Sequence, residues 1–342
     1  MIFTKSLAEH YRKKFLNISN TDDLAKLLRT DKEQLYLSVA EPNYHKFKIP
    51  KKSGGYREVT APQEFLATLH KRLNLFLQSV YCVKSPKPVH GFVRSYKKHV
   101  SRNYIPKDIL SNASIHLKKN YVLNLDIEDF FSSISATRVR YIFSEYPFYF
   151  NEEISTCLAL LCTYEKTLPT GSPTSPAISN FACTELDIRL SELAEKNNLN
   201  YTRYADDITF SSDKEISNLI MQNIREIVNE CRFKVNEKKW RLQKKNEPQI
   251  VTGVKVNEQL NVERKYVRNL RAVFHDITKR GIKDASKKYF KGRKMKNSET
   301  EMLRSLTGKI NFLGRVKGNK NSLFLMYQAK LSELEMRMKN NN

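Results

Sequence analysis

No stretch of this chain is apolar for the roughly 18 residues that a membrane-spanning helix needs, and Met1 to Phe15 is charged, without the apolar core of a secretion signal. Its five cysteines, Cys82, Cys157, Cys162, Cys183 and Cys231, show neither a paired framework nor zinc-ligand spacing. They are expected to be reduced and structural, in a cytoplasmic protein with no membrane partner. No internal repeat is visible. Acid is scarce beside base: 36 Asp and Glu against 60 Lys and Arg leave a net charge of +24, with a pI near 9.7. That balance is the electrostatic footprint expected of a nucleic-acid binder. At 342 residues the chain can hold a large core and two or three subdomains.

Among the few acids, Tyr204-Ala205-Asp206-Asp207 stands out. It lies between Leu199–Arg203 and Ile208–Ser211, both rich in strand formers, so the acidic pair falls where a hairpin turn would go. A strand-turn-strand showing two carboxylates suits Mg²⁺, a hard ion bound through oxygen, usually by one or two carboxylates plus substrate phosphates. Two such ions about 4 Å apart can clamp the attacking and leaving oxygens of phosphoryl transfer. The plain alternative is a solvated turn, where Asp is common.

Two further stretches weigh against that alternative. Tyr121–Ile127 reads as a mostly buried strand carrying Asp126 at its carboxyl end, where α/β folds usually place ligands. A helix cap at Asp129 or Ser132 accounts for those two residues but not for Asp126, since an unpaired buried carboxylate is costly. Leu168-Pro169-Thr170-Gly171-Ser172-Pro173-Thr174-Ser175-Pro176 then precedes a helical pattern from about Ala177 to Glu195. Three prolines and a glycine could form a simple connector. Their small neighbours would also let a nucleotide or template base approach the backbone.

Together these stretches resemble the reverse transcriptases. Asp126 matches the family's first catalytic aspartate, Gly171 and Ser172 its template- and nucleotide-contacting loop, and Tyr204–Asp207 its signature turn. Thr170 stands where the family usually has Gln. The resemblance implies an α/β (α+β) right-hand polymerase. Fingers would span 1–120, a palm 121–250 and a basic helical thumb 251–342. It implies two Mg²⁺ ions held by Asp126, Asp206, Asp207 and the Ile127 backbone. Phe47–Pro62 reads as a glycine-turn hairpin similar to the fingers segment that holds the incoming triphosphate, with Lys51 and Arg57 as its phosphate contacts. Lys239 matches a lysine that assists pyrophosphate departure, although Trp240 follows it where the family often has Thr. Phe130 is expected beneath the sugar, excluding a 2′-hydroxyl; core packing is its ordinary alternative. No ribonuclease H-like acidic cluster follows the thumb, so template removal would fall to another enzyme.

Shorter features are similar to the bacterial retron enzymes. Asn112-Ala113-Ser114-Ile115-His116 fits their Asn-Ala-x-x-His pattern, Val251-Thr252-Gly253 their Val-Thr-Gly triplet, and Val89-His90-Gly91-Phe92 also resembles them. Residues 264–342 carry 21 Lys and Arg against 6 Asp and Glu, a surplus of 15. A basic run is often a solvated face. Here Arg268, Arg271, Tyr289 and Arg293, with Asn112, His116, Val251, Thr252 and Gly253, are assigned to RNA. The resemblance implies a structured non-coding RNA as template and primer, and synthesis from an internal guanosine 2′-hydroxyl. It implies dNTP substrates, an RNA–DNA duplex, a branched multicopy single-stranded DNA (msDNA) product, and anti-phage defence beside an effector protein. Alternatives are another bacterial reverse transcriptase, of group II intron or diversity-generating type, and an RNA-binding scaffold with a decayed site.

Overall fold

The computed structural model describes residues 4–51, 54–83, 85–94, 107–291 and 297–340. Three short helices come first: α1 (Lys5–Leu16), α2 (Thr21–Leu28) and α3 (Lys32–Ala40). The side chains of Thr4, Asn20 and Asp31 cap them by accepting otherwise orphaned amide hydrogens. The antiparallel hairpin β1 (Tyr44–Pro50) and β2 (Tyr56–Pro62) follows, closed by Gly54 and Gly55 with φ of 90° and 75°. Next come α4 (Glu64–Val83), α5 (Ile109–Ser114), β3 (Tyr121–Asp126), α6 (Ala136–Ser144), α7 (Glu152–Cys162), α8 (Ser175–Ala182) and α9 (Thr184–Lys196). The chain continues with β4 (Asn200–Tyr204), β5 (Asp207–Ser212), α10 (Asn218–Glu230), a 3₁₀ turn at Glu237–Lys239 and β6 (Arg241–Lys244). It closes with β7 (Ile250–Val251), β8 (Val254–Lys255), α11 (Arg264–Tyr289), α12 (Ser298–Lys317) and α13 (Ser322–Asn340).

Two compact units result: Met1–Ile115 with Asn120–Lys244, and His116–Lys119 with Lys245–Asn342. In the first, β4, β5, β3 and β6 form one antiparallel sheet in that order. Alternation along the strands sends Leu123, Leu125, Ile208 and Phe210 into the core with Leu186 and Leu190 of α9 and Ile224 and Val228 of α10. The other face carries a polar ladder. Thr209 Oγ1 donates to Asn124 Oδ1 at 3.0 Å, and Asn124 Nδ2 donates to Gln243 Oε1 at 3.0 Å. All five cysteines are buried and unpaired, and burial pushes the Cys162 and Cys183 thiols up to about 12. In the second unit, α11, α12 and α13 bury Leu270, Phe274, Ile277, Met302, Leu306, Ile310, Leu313 and Tyr327. Gly314 lets α13 press close: a Cβ there would lie 2.5 Å from the Phe324 ring. Among the described residues no helix is long and apolar enough to cross a membrane.

Two local expectations change. Asp129 does not cap a helix; it sits at φ 48° in a run of turns, and the next helix starts at Ala136, where Ser135 Oγ accepts from Arg138 N at 3.2 Å. The helical pattern at 177–195 is two helices, α8 and α9, parted at Cys183 with φ −88° and ψ 4°. A single non-helical residue leaves apolar spacing almost undisturbed, so periodicity does not register the break.

Candidate active site

The strand β4 ends at Tyr204 and β5 begins at Asp207, so Ala205 and Asp206 form the loop of a two-residue hairpin. Ala205 takes φ 60°, a left-handed conformation that costs a residue with a Cβ about 1–2 kcal/mol. On the neighbouring strand, Asp126 lies directly opposite Asp207 in the register, and Ile127 N donates to Asp206 O at 3.1 Å. The three carboxylates are therefore gathered by backbone pairing at one end of the sheet. Residues 234–239 run past the same end: Ile127 bridges Val235, and Asn236 N donates to Asp126 O at 2.8 Å. The following 3₁₀ turn delivers Lys239, whose Nζ lies 2.6 Å from Asp126 Oδ1. This pairing is how Asp126 tolerates burial at 5 % exposure.

Charge is crowded here. Burial, then the carboxylate of Asp126, raises Asp206 above the usual carboxylate range, and Lys239 and Arg57 oppose the rise. Desolvation and the neighbouring carboxylates of Asp206 and Asp126 push Asp207 up to about 7. Divalent cations would relieve this repulsion, and an all-oxygen donor set matches a hard ion. Among the described residues no three His, Cys, Asp or Glu side chains close into a ready cage. The carboxylate oxygens of Asp126, Asp206 and Asp207 are the donor type that fits a hard divalent cation.

The loop before α8 is stapled to β2 of the hairpin. Thr170 Oγ1 accepts from Thr60 N at 3.0 Å and lies 3.3 Å from Glu58 O, while Gly171 N donates to Thr60 O at 2.8 Å. A Cβ on Gly171 would meet Ala61 Cβ and Thr60 O at 2.8 Å. Its smallness thus admits the close approach of β2. Ser172 is buried, and its Oγ lies 2.7 Å from His70 Nδ1 and 2.8 Å from Thr174 Oγ1. His70 Nε2 reaches Leu161 O at 2.7 Å. Lys51 and Arg57 are exposed on the hairpin, and Arg57 is near enough for its charge to bear on Asp206.

The remaining expected site residues are spread more widely. Phe130 is 5 % exposed and packs on Phe131 and Phe233, with ring centroids 5.4 and 6.0 Å away. Asn112 and His116 are buried. Val251 is buried too, and Thr252 and Gly253, at φ 47° and 81°, make the tight turn between β7 and β8. Arg268 and Arg271 line two grooves on the second unit, one with Arg264 and Lys317, the other with His275, Asp276 and Lys288. Tyr289 packs inward: Lys309 Nζ donates to its hydroxyl at 2.6 Å. Arg293 lies outside the described residues.

Sequence reasoning missed His70, Asn180, Asp187 and Arg203, which are all buried. The available signal was polarity in apolar surroundings, as with Asp187 on the inner face of α9.

A sequence model of the family described as reverse transcriptase (RNA-dependent DNA polymerase) matches residues 49–256. The chain is similar to the retron Mx65 reverse transcriptase of Myxococcus xanthus, at 34 % identity over 68 % of this chain and 56 % of that protein. It is 29 % identical to the retron Ec86 reverse transcriptase of Escherichia coli over 92 % of this chain and 90 % of the relative. With the retron Mx162 reverse transcriptase of Myxococcus xanthus the identity is 31 %, over 86 % of this chain and 61 % of the relative. The matched region thus spans less than two thirds of the two Myxococcus proteins.

Proposed function

Since the chain belongs to the reverse transcriptases, among the retron enzymes, we propose that it copies RNA into DNA at the end of the sheet where Asp126, Asp206 and Asp207 meet. The register pairing of Asp126 with Asp207 beside Asp206 carries this reading. Asp126, Asp206 and Asp207, with the backbone of Ile127, would hold two Mg²⁺ ions, which would supply Lewis-acid polarisation of the α-phosphate and a lower pKa for the primer hydroxyl. Arg57 and Lys51 draw in the triphosphate of a dNTP. Lys239 turns its ammonium toward the departing pyrophosphate. Gly171 and Ser172 shape the nucleotide site through the staple to β2, and Phe130 forms the floor under the sugar. Fingers, palm and thumb correspond to 1–120, 121–250 and 251–342.

We further propose that the template is a structured non-coding RNA, primed from an internal guanosine 2′-hydroxyl in the cytoplasm and yielding msDNA that serves anti-phage defence with an effector protein. The grooves around Arg268 and Arg271 support an RNA contact on the second unit.

Primer extension with Mg²⁺ tests the chemistry. Asp206→Asn should lower synthesis at least about a hundredfold, since it removes a hard charged ligand, while RNA retention in a binding assay stays near wild type. Near-normal synthesis by this variant would sink the site. Incubation of the protein with the RNA transcribed beside its gene should yield a branched product; a linear product alone would leave a polymerase without retron priming.

A further inference from the structure

Arg203 is completely buried, one residue before the turn motif, and each nitrogen of its guanidinium donates a hydrogen bond. Its Nε and Nη2 donate to the two oxygens of Asp187 at 2.7 and 2.6 Å. Tyr201 OH also donates to Asp187 Oδ1, at 2.7 Å. Arg203 Nη1 donates both to Asn180 Oδ1 and to Ala205 O, each at 3.1 Å. Asn180 is buried as well, and its Nδ2 donates to Gly91 O at 3.1 Å. Gly91 then abuts the turn: a Cβ on it would lie 2.3 Å from Ala205 N and 2.8 Å from Tyr204 C. The strip holding Gly91 is itself tied to β4, since His90 N donates to Arg203 O at 2.8 Å and Arg203 N to Pro88 O at 2.9 Å. A closed ring thus runs from Arg203 through Asn180 and Gly91 to Ala205.

We propose that Arg203 is a positioning residue for the Asp206–Asp207 turn, gripping the strained Ala205 through its guanidinium while Asp187, Asn180 and Gly91 fix the grip. The inference rests on the catalytic reading of that turn. A left-handed alanine persists only where its surroundings over-determine it, and Arg203 supplies that constraint. A guanidinium can meet both carboxylate oxygens of Asp187 and still turn a third nitrogen to the turn. A lysine ammonium keeps the charge but cannot span these partners. The Val89-His90-Gly91-Phe92 stretch gains a role at the same time, as the strut on which the turn rests.

Two variants and two readouts test this. Arg203→Lys should lower kcat in primer extension about tenfold to a hundredfold, the scale expected for misplacement of reacting groups by about 1 Å, with KM for dNTP within about twofold. Hydrogen–deuterium exchange of the Tyr204–Ile208 peptide should quicken, while that of Leu123–Leu125 should not. Asn180→Ala leaves the Arg203–Asp187 pair intact, so it should fold even where Arg203→Lys does not, and should shift both readouts in the same direction by less. Activity loss that only tracks the unfolded fraction, or unchanged turn exchange in both variants, overturns the proposal. If the wild type makes no DNA, the catalytic reading fails separately, and the exchange measurement still decides whether Arg203 holds the turn.

Discussion

His70 shows how one buried side chain ties site geometry to pH. It is fully buried, and burial lowers its pKa to about 4. The neutral ring suits its partners: Nε2–H donates to Leu161 O, and Nδ1 accepts from Ser172 Oγ. In the unfolded chain the imidazole titrates near 6.5. Between about pH 6.5 and 4 the unfolded state therefore holds a proton that the folded state does not, so stability is full above 6.5 and declines as pH falls through that window. The decline attributable to this residue is up to about 3 kcal/mol. His90, also lowered to about 4 by burial, adds its own share. Urea melts at pH 6.5, 5.5 and 4.5 should thus show a steeper loss for the wild type than for His70→Gln. Parallel curves would mean that His70 is protonated in place.

At the scale of elements, α11 carries Arg264, Arg268 and Arg271 ahead of a break at Gly281, whose φ is 77° and ψ 161°. A duplex grip needs only charge, whereas recognition of one folded RNA needs side chains set at particular loops and unstacked bases. Replacing Arg268 and Arg271 by Ala should therefore abolish synthesis on the cognate transcript and reduce extension of a preannealed DNA primer on generic RNA by less than about tenfold. Equal loss on both templates would assign the pair to gripping alone. The strands were legible beforehand because period-two alternation and turn residues are local signals, and Tyr121–Asp126, Asn200–Tyr204 and Asp207–Ser212 follow them. The Asp187–Arg203 pair was not, because no local pattern announces a contact between a helix face and a strand. The packing of the Gly171 loop on β2 was hidden for the same reason: β2 lies about a hundred positions earlier in the chain.

For the molecule as a whole, the net charge of +24 sets how it meets a polyanion. Each phosphate neutralised releases counterions, so affinity for an RNA–DNA duplex should fall at least about a thousandfold between 50 and 200 mM salt if six or more phosphates are gripped. Filter binding across that range measures the slope, and a flat response would mean that the surplus faces solvent. The composition of the second unit has a different consequence. His116–Lys119 belongs to it although most of it begins at Lys245: Lys118 N donates to Val256 O at 3.0 Å, and Gln249 Nε2 donates to Lys119 O across 130 positions. A ribosome adding about 5–20 residues per second delivers that short piece on the order of 10 seconds before its partners emerge. During every round of synthesis the nascent chain therefore carries an unmatched segment in the middle of a forming body. Split versions cut near residue 245 would separate the short His116–Lys119 piece from the rest of one small structure, and would have to restore it in trans.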